Sequence, residues 1–125
     1  MHELSIAVSL IDLAVEEAER LGVRVEALNL RLGALSGVVR EALLFSFDLA
    51  VAGTPIEGAR LEIEDVPVVV FCPVCGEERT LPGIQDFRCP VCGAPTPDVV
   101  RGRELELATM EVSAIEEEKN ATADR

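Results

Sequence analysis

Apolar residues recur at three- and four-residue steps from Leu4 through Ala7, Ile11, Ala14, Val15, Ala18 and Leu21, with Asp12, Glu16, Glu17, Glu19 and Arg20 between them. That is the period of an amphipathic helix, so the spacing predicts a helix over residues 4–21 with Gly22 just past its end. The period then changes to two. Val23, Val25 and Ala27 alternate with Arg24 and Glu26, after which the phase slips by one residue to Leu28, Leu30 and Leu32. This predicts a strand with either a bulge near Ala27 and Leu28 or apolar cover on both faces. Ser36 is a candidate cap for a second helix over 38–51. That helix carries Ala42, Leu43, Leu44, Phe45, Phe47, Leu49 and Ala50, and Gly53 and Pro55 end it.

Alternation returns over 59–66, with Leu61 and Ile63 against Glu62 and Glu64, and again over 103–112, with Leu105 and Leu107 against Glu104 and Glu106. The two runs are expected to pair with each other. Residues 72–100 break the pattern: they hold all four cysteines and five of the seven prolines, with little periodicity. The expected fold is α+β: a small three-stranded sheet with two helices on one face, plus an inserted zinc-ribbon module. The expected domains are an α+β part (1–66 and 103–112), a zinc ribbon (67–102) and a flexible polar tail (113–125).

Composition narrows the picture. In 125 residues, 49% are apolar but only 3% are aromatic, so aliphatic side chains must supply nearly all the packing of one modest core. The net charge of −12 disfavours nucleic acid and anionic membranes and favours cations or proteins with basic surfaces. No signal peptide and no membrane-spanning run is visible. The cytoplasm is the expected compartment, and thiols stay reduced there.

Reduced, paired cysteines read first as metal ligands. Cys72-Pro73-Val74-Cys75-Gly76 and Cys89-Pro90-Val91-Cys92-Gly93 are identical pentapeptides. A two-residue spacer lets a tight turn aim both sulfurs at one ion, and the following glycine lets the chain turn away. Four thiolates in a tetrahedron suit Zn2+ and leave no open position, which makes the site structural. A redox dithiol, two disulfides or an iron centre are the competing accounts. Two identical pairs among prolines and turns do not provide the helix start that a redox pair uses.

The only histidine is His2. The α-amine of Met1, the amide nitrogen of His2 and its imidazole Nδ1 form a five-membered and a six-membered chelate ring around one ion. A metal able to displace the amide proton is required, which favours Cu2+ or Ni2+. Glu3 adds a carboxylate nearby. The competing account is an ordinary solvated histidine at a frayed chain start.

Met1-His2-Glu3-Leu4-Ser5-Ile6 joined to the paired CPVCG knuckles resembles the HypA family (including HybF) of hydrogenase nickel-incorporation proteins. The order helix, strand, Leu32-Gly33 through Ser36-Gly37-Val38, helix, strand, zinc module, strand matches over residues 1–112. The resemblance implies a cytoplasmic nickel metallochaperone with two sites. Structural zinc sits on Cys72, Cys75, Cys89 and Cys92. Transported Ni2+ sits on Met1, His2 and Glu3. It implies as partners a HypB-type GTPase and the large subunit of [NiFe]-hydrogenase, with no nucleic acid and no membrane. A homodimer is compatible with it.

Two other classes compete. One is a zinc-ribbon protein-interaction module without nickel function, which a Ni2+ titration of the His2→Ala chain would distinguish. The other is an enzyme. For that the chain offers no second histidine, no nucleophile motif and no metal site with an open position.

Overall fold

The computed structural model describes residues 3–115. Its elements are α1 (Glu3–Leu21), β1 (Val23–Gly33), α2 (Arg40–Val51), β2 (Arg60–Val66), β3 (Val69–Cys72), β4 (Glu77–Thr80), β5 (Asp98–Arg101) and β6 (Leu105–Ala114). Three strands form one sheet in the order β2-β1-β6, and three form another in the order β4-β3-β5. The fold is α+β with a ribbon module, as the pattern predicts. By internal contacts the chain divides into two compact units. The first collects the residues through Asn29, Val39–Glu62 and those from Leu107 onward; the second collects Leu30–Val38 and Ile63–Glu106.

The first unit is held by aliphatic packing. Ile6, Ala7, Leu10, Ile11, Ala14 and Ala18 are the buried face of α1; of the expected stripe Ala7, Ile11, Ala14 and Ala18 are buried and Val15 half-buried, Leu4 and Leu21 at the ends are exposed, and Ile6 and Leu10 join the face. α1 packs on α2. Leu43, Phe47 and Val51 are the buried face of α2. Gly22 ends α1 at φ 68°, and its N–H bonds the Ala18 carbonyl at 2.8 Å.

Three expectations change. The 103–112 run was expected beside 59–66, but β1 lies between β2 and β6. Burial explains why. In β1, Val25, Ala27, Leu28, Leu30 and Leu32 are all buried, with the change of phase at Ala27 and Leu28. A strand this apolar belongs in the middle, whereas β2 and β6 keep mostly exposed or half-exposed residues and suit edges. Second, Ser36 does not cap α2. The helix starts at Arg40 after an extended Val39 with no side-chain cap, and the Ser36 hydroxyl accepts the Val38 N–H at 3.2 Å. Third, the tail does not begin at Ser113. That residue and Ala114 belong to β6, and Ser113 Oγ donates to Glu26 at 2.7 Å. The rest of the expected tail, from residue 116, lies outside the described residues.

The second unit also buries aliphatic residues, among them Leu30, Leu32, Val66 and Val69. Val68, Val70 and Leu81 form one buried apolar cluster in it, with Leu35, Phe87 and Val99 packed against them. Main-chain bonds fix its base: Gly33 N–H to Glu104 O at 2.7 Å, Ala34 N–H to Val66 O at 3.0 Å and Leu35 N–H to Gly102 O at 2.6 Å. A Cβ on Gly33 would stand 2.2 Å from the Gly102 carbonyl oxygen, so only glycine fits there.

Candidate metal centre

Both cysteine pairs sit at hairpin tips. β3 and β4 pair antiparallel with Cys72 opposite Glu77, and the first knuckle is the turn between them. The second knuckle tips a smaller hairpin. There Arg88 bridges to Pro95, Cys89 N–H bonds Ala94 O at 2.8 Å and Thr96 N–H bonds Phe87 O at 3.0 Å. The hydroxyl of Thr96, itself buried, donates to the same Phe87 carbonyl at 2.5 Å. The knuckles close alike. Gly76 N–H reaches Cys72 O at 2.7 Å and Gly93 N–H reaches Cys89 O at 2.8 Å. Both glycines turn away in the left-handed region, at φ 72° and 78°.

Together the turns bring four sulfurs within 4.8 Å of one another. Cys72 Sγ lies 3.5 Å from Cys92 Sγ, and Cys75 Sγ lies 3.9 Å from Cys89 Sγ. Sulfurs at about 2.3 Å from zinc form a tetrahedron with edges of about 3.8 Å, which these separations bracket. A disulfide needs about 2.05 Å, so these are four thiols. Backbone amides already point at the sulfurs. Cys75 N–H meets Cys72 Sγ at 3.3 Å, and the N–H groups of Val91 and Cys92 meet Cys89 Sγ at 3.4 and 3.5 Å.

The electrostatics ask for a cation. The Cys92 and Val91 amides bring the Cys89 thiol down to about 6. Cys92 is pushed the other way, to about 12: an Ala94 amide favours its thiolate but is outweighed by Cys72, burial and the other two sulfurs. Four crowded sulfurs do not all ionise without a metal, and a bound dication removes that conflict. The residues fit Zn2+. All four ligand positions are protein sulfur, so the ion's role is to hold the ribbon together.

Of the residues expected to hold nickel, Met1 and His2 lie outside the described residues. Glu3 opens α1, and its Oε2 accepts the Val39 N–H at 2.9 Å. It thus ties the first turn of α1 to the start of α2, in the place expected of a capping side chain. The sequence reading missed that role, because nothing in the spacing of Glu3 and Val39 announces a contact between them. It also missed Arg79, which the β3–β4 register sets on the same face as Cys72. In sequence Arg79 is one of several arginines, and only the hairpin register sets it apart.

An α+β body with a ribbon closed by four thiolates defines a metal-binding protein in which zinc supports the fold and any further chemistry lies elsewhere. Comparison with known proteins specifies the kind. The family model described as hydrogenase/urease nickel incorporation, metallochaperone, HypA matches residues 1–112. The chain is 58% identical over 112 residues to the hydrogenase maturation factor HypA of Roseiflexus sp. strain RS-1, covering 89% of this chain and 91% of that protein. It is 49% identical over 108 residues to the hydrogenase maturation factor HypA of Deinococcus radiodurans, covering 86% and 89%. A solution structure of a HypA protein superposes with a TM-score of 0.67 at 25% identity, covering 92% of this chain and 98% of that one. The solution structure of the Ni metallochaperone HypA from Helicobacter pylori matches in fold, with a TM-score of 0.63 at 24% identity over 92% and 100% of the two chains. The chain belongs to the HypA family of nickel-incorporation metallochaperones for hydrogenase maturation.

Proposed function

We propose that this chain carries Ni2+ at its N-terminal segment and hands it to the large subunit of a [NiFe]-hydrogenase, working with a HypB-type GTPase. The family match carries the reading, because it begins at residue 1 and so includes Met1-His2-Glu3. Nickel is the cargo, and the nitrogens of Met1 and His2 are its proposed ligands within the α+β part (1–66 and 103–112). Three nitrogens in two fused chelate rings hold nickel selectively. A site with few side-chain ligands and an open face allows exchange into a receiving site, which a closed cage of four thiolates does not.

Glu3 is the third proposed nickel residue. Its carboxylate accepts the Val39 N–H, and it follows His2 directly in the sequence. The role is binding and transfer, with no reaction assigned to the chain. The cytoplasm, where four thiols stay reduced for zinc, is the compartment this reading assigns. Among the described residues no helix is long and apolar enough to cross a membrane. A homodimer is compatible with the reading.

Calorimetric titration with Ni2+ tests it. The native chain should bind nickel, and His2→Ala and a chain extended before Met1 should both bind far more weakly, with zinc content unchanged. If the zinc-loaded native chain takes up no nickel, the ribbon is an interaction module and the reading fails.

A further inference from the structure

β6 ends the sheet order β2-β1-β6, and among the described residues no strand pairs with its other edge. Unpaired N–H and C=O groups on an edge are a template for another chain, and proteins usually blunt them with Pro, Lys, a bulge or a short strand. β6 runs for 10 residues and contains no Pro, Lys or Gly.

Its two faces differ. Thr109 and Glu111 share one face, and both accept from Asn29 Nδ2, at 2.9 and 3.3 Å. Arg60 meets Glu111 there at 3.4 Å and Glu62 at 3.0 Å, and Glu26 accepts the Ser113 hydroxyl at 2.7 Å. Three carboxylates are thus set against one guanidinium, which leaves that face acidic. Ala108, Met110 and Val112 share the opposite face. An open groove of about 620 Å³ runs there between β6 and α1, with Leu13, Leu21, Leu107, Met110 and Val112 among its walls. Its carboxylate, Glu17, is paired with Arg20, so the groove is mainly apolar. Leu13, Leu21 and Val112 are 54%, 50% and 44% exposed. Edge and groove both belong to the first unit from Leu107 onward.

We propose that the β6 edge takes an extended segment of a partner protein as a further strand, with alternate residues of that segment apolar and basic. In strand addition the main-chain bonds supply affinity and the alternate side chains supply specificity. The apolar set enters the groove against Leu13, Leu21 and Met110, and the basic set lies beside Glu111. Charge selects this occupant. The chain carries −12, so a second copy is repelled and a strand bearing Lys or Arg is drawn in. The residues after Ile115 match neither face, because they open with three glutamates and their only apolar members are Ala121 and Ala123.

The inference does not use nickel, so its failure leaves that reading untouched. The probe is a capped peptide of alternating lysine and valine, as long as Leu107–Ala114, titrated into the nitrogen-15-labelled, zinc-loaded full chain. Amide signals of β6, Leu13 and Leu21 should shift, and hydrogen exchange along β6 should slow. A peptide of alternating glutamate and valine should move none of them. N-methylating every second amide of the probe separates strand addition from general adhesion. Only alternate residues of an antiparallel strand bond to a given neighbour, so one phase of methylation should abolish binding and the other should retain it. Leu13→Gln should weaken binding about 10-fold through lost apolar burial. Glu111→Gln should weaken it about 3-fold, a difference that added salt removes. No shift at β6, equal binding of the glutamate peptide, or equal binding of the two methylated phases overturns the proposal. Shifts of β6 that depend on protein concentration would make a second copy the occupant and overturn it too. Contacts between the β6 edge and residues 116–125 in the free chain would assign the edge to this chain's own end, with the same consequence.

Discussion

The helical unit and the ribbon unit hold a short chain in place with different materials. In the first, two helices bury Ile6, Leu10, Ile11, Leu43, Phe47 and Val51 with interspersed alanines, and removal from water is the stabilising force. In the second, Val68, Val70 and Leu81 form one buried apolar cluster, and the tips of both hairpins are turns and prolines converging on four sulfurs. Val74 and Val91 in the knuckles are exposed, so apolar burial does not order those tips, and metal binding makes up the difference. The lesson is that one domain-sized chain holds a part whose folding is set by hydrophobic area and a part whose folding is set by an ion.

Removing the ion is the largest way to break this contrast. In Cys89→Ala, zinc should be lost and the segment from Cys72 to Val100 should unfold, while the helical far-UV signal remains. Structural zinc sites in small peptides are worth roughly 10–16 kcal/mol, so the loss should be complete at neutral pH. Hydrogen exchange reads it out amide by amide: protection over β3, β4 and β5 should collapse and that over α1 and α2 should persist. Full protection in both regions would mean that the ribbon does not depend on its metal.

The mirror experiment is Phe47→Ala. Phe47 is almost fully buried on α2, and truncating a buried phenylalanine costs about 3–5 kcal/mol. The melting temperature of the helical signal should fall sharply while zinc stoichiometry under folding conditions stays the same. Equal loss of zinc would mean that the two parts do not fold by separate means.

A smaller change sharpens the picture at the helix junction. Glu3→Ala leaves the Val39 amide without its acceptor and should cost about 0.5–1.5 kcal/mol in the helical transition. Glu3→Gln keeps an acceptor oxygen and should recover most of that, as denaturant melts would show. Equal loss in both variants would make the charge, and not the hydrogen bond, the stabilising feature.

The parts of the structure that follow from local chemistry were legible in the sequence. The CPVCG repeats place four ligands because the spacing itself builds the turn. The middle of the α1 stripe (Ala7, Ile11, Ala14 and Ala18) and the change of phase in β1 reappear as burial, whereas Leu4 and Leu21 at the helix ends are exposed. What depends on partners distant in sequence was not legible. Alternation shows that β6 has one wet face but not which neighbour it takes, and it takes β1. Ser36 has the chemistry of a cap, yet the acceptor near the start of α2 comes from Glu3. Arg79 resembles any surface arginine until the β3–β4 register sets it on the face of Cys72.

The same contrast separates the two metals. Zinc is held by four thiolates, one of which, Cys89, is lowered to about 6 by backbone N–H bonds even without metal. Nickel is assigned to nitrogens that compete with protons near neutrality: a free imidazole titrates at about 6.5 and an α-amine at about 7.7–8.0. Protonating either nitrogen removes a ligand, so nickel affinity is present above those values and falls as pH drops through them. Nickel and zinc retention, measured together across a pH series on the native chain and on His2→Ala, tests the central claim most directly. The account predicts that mild acid releases nickel from the native chain while zinc stays, and that His2→Ala lacks the nickel step. Parallel loss of both metals, or identical behaviour of the two chains, would contradict it.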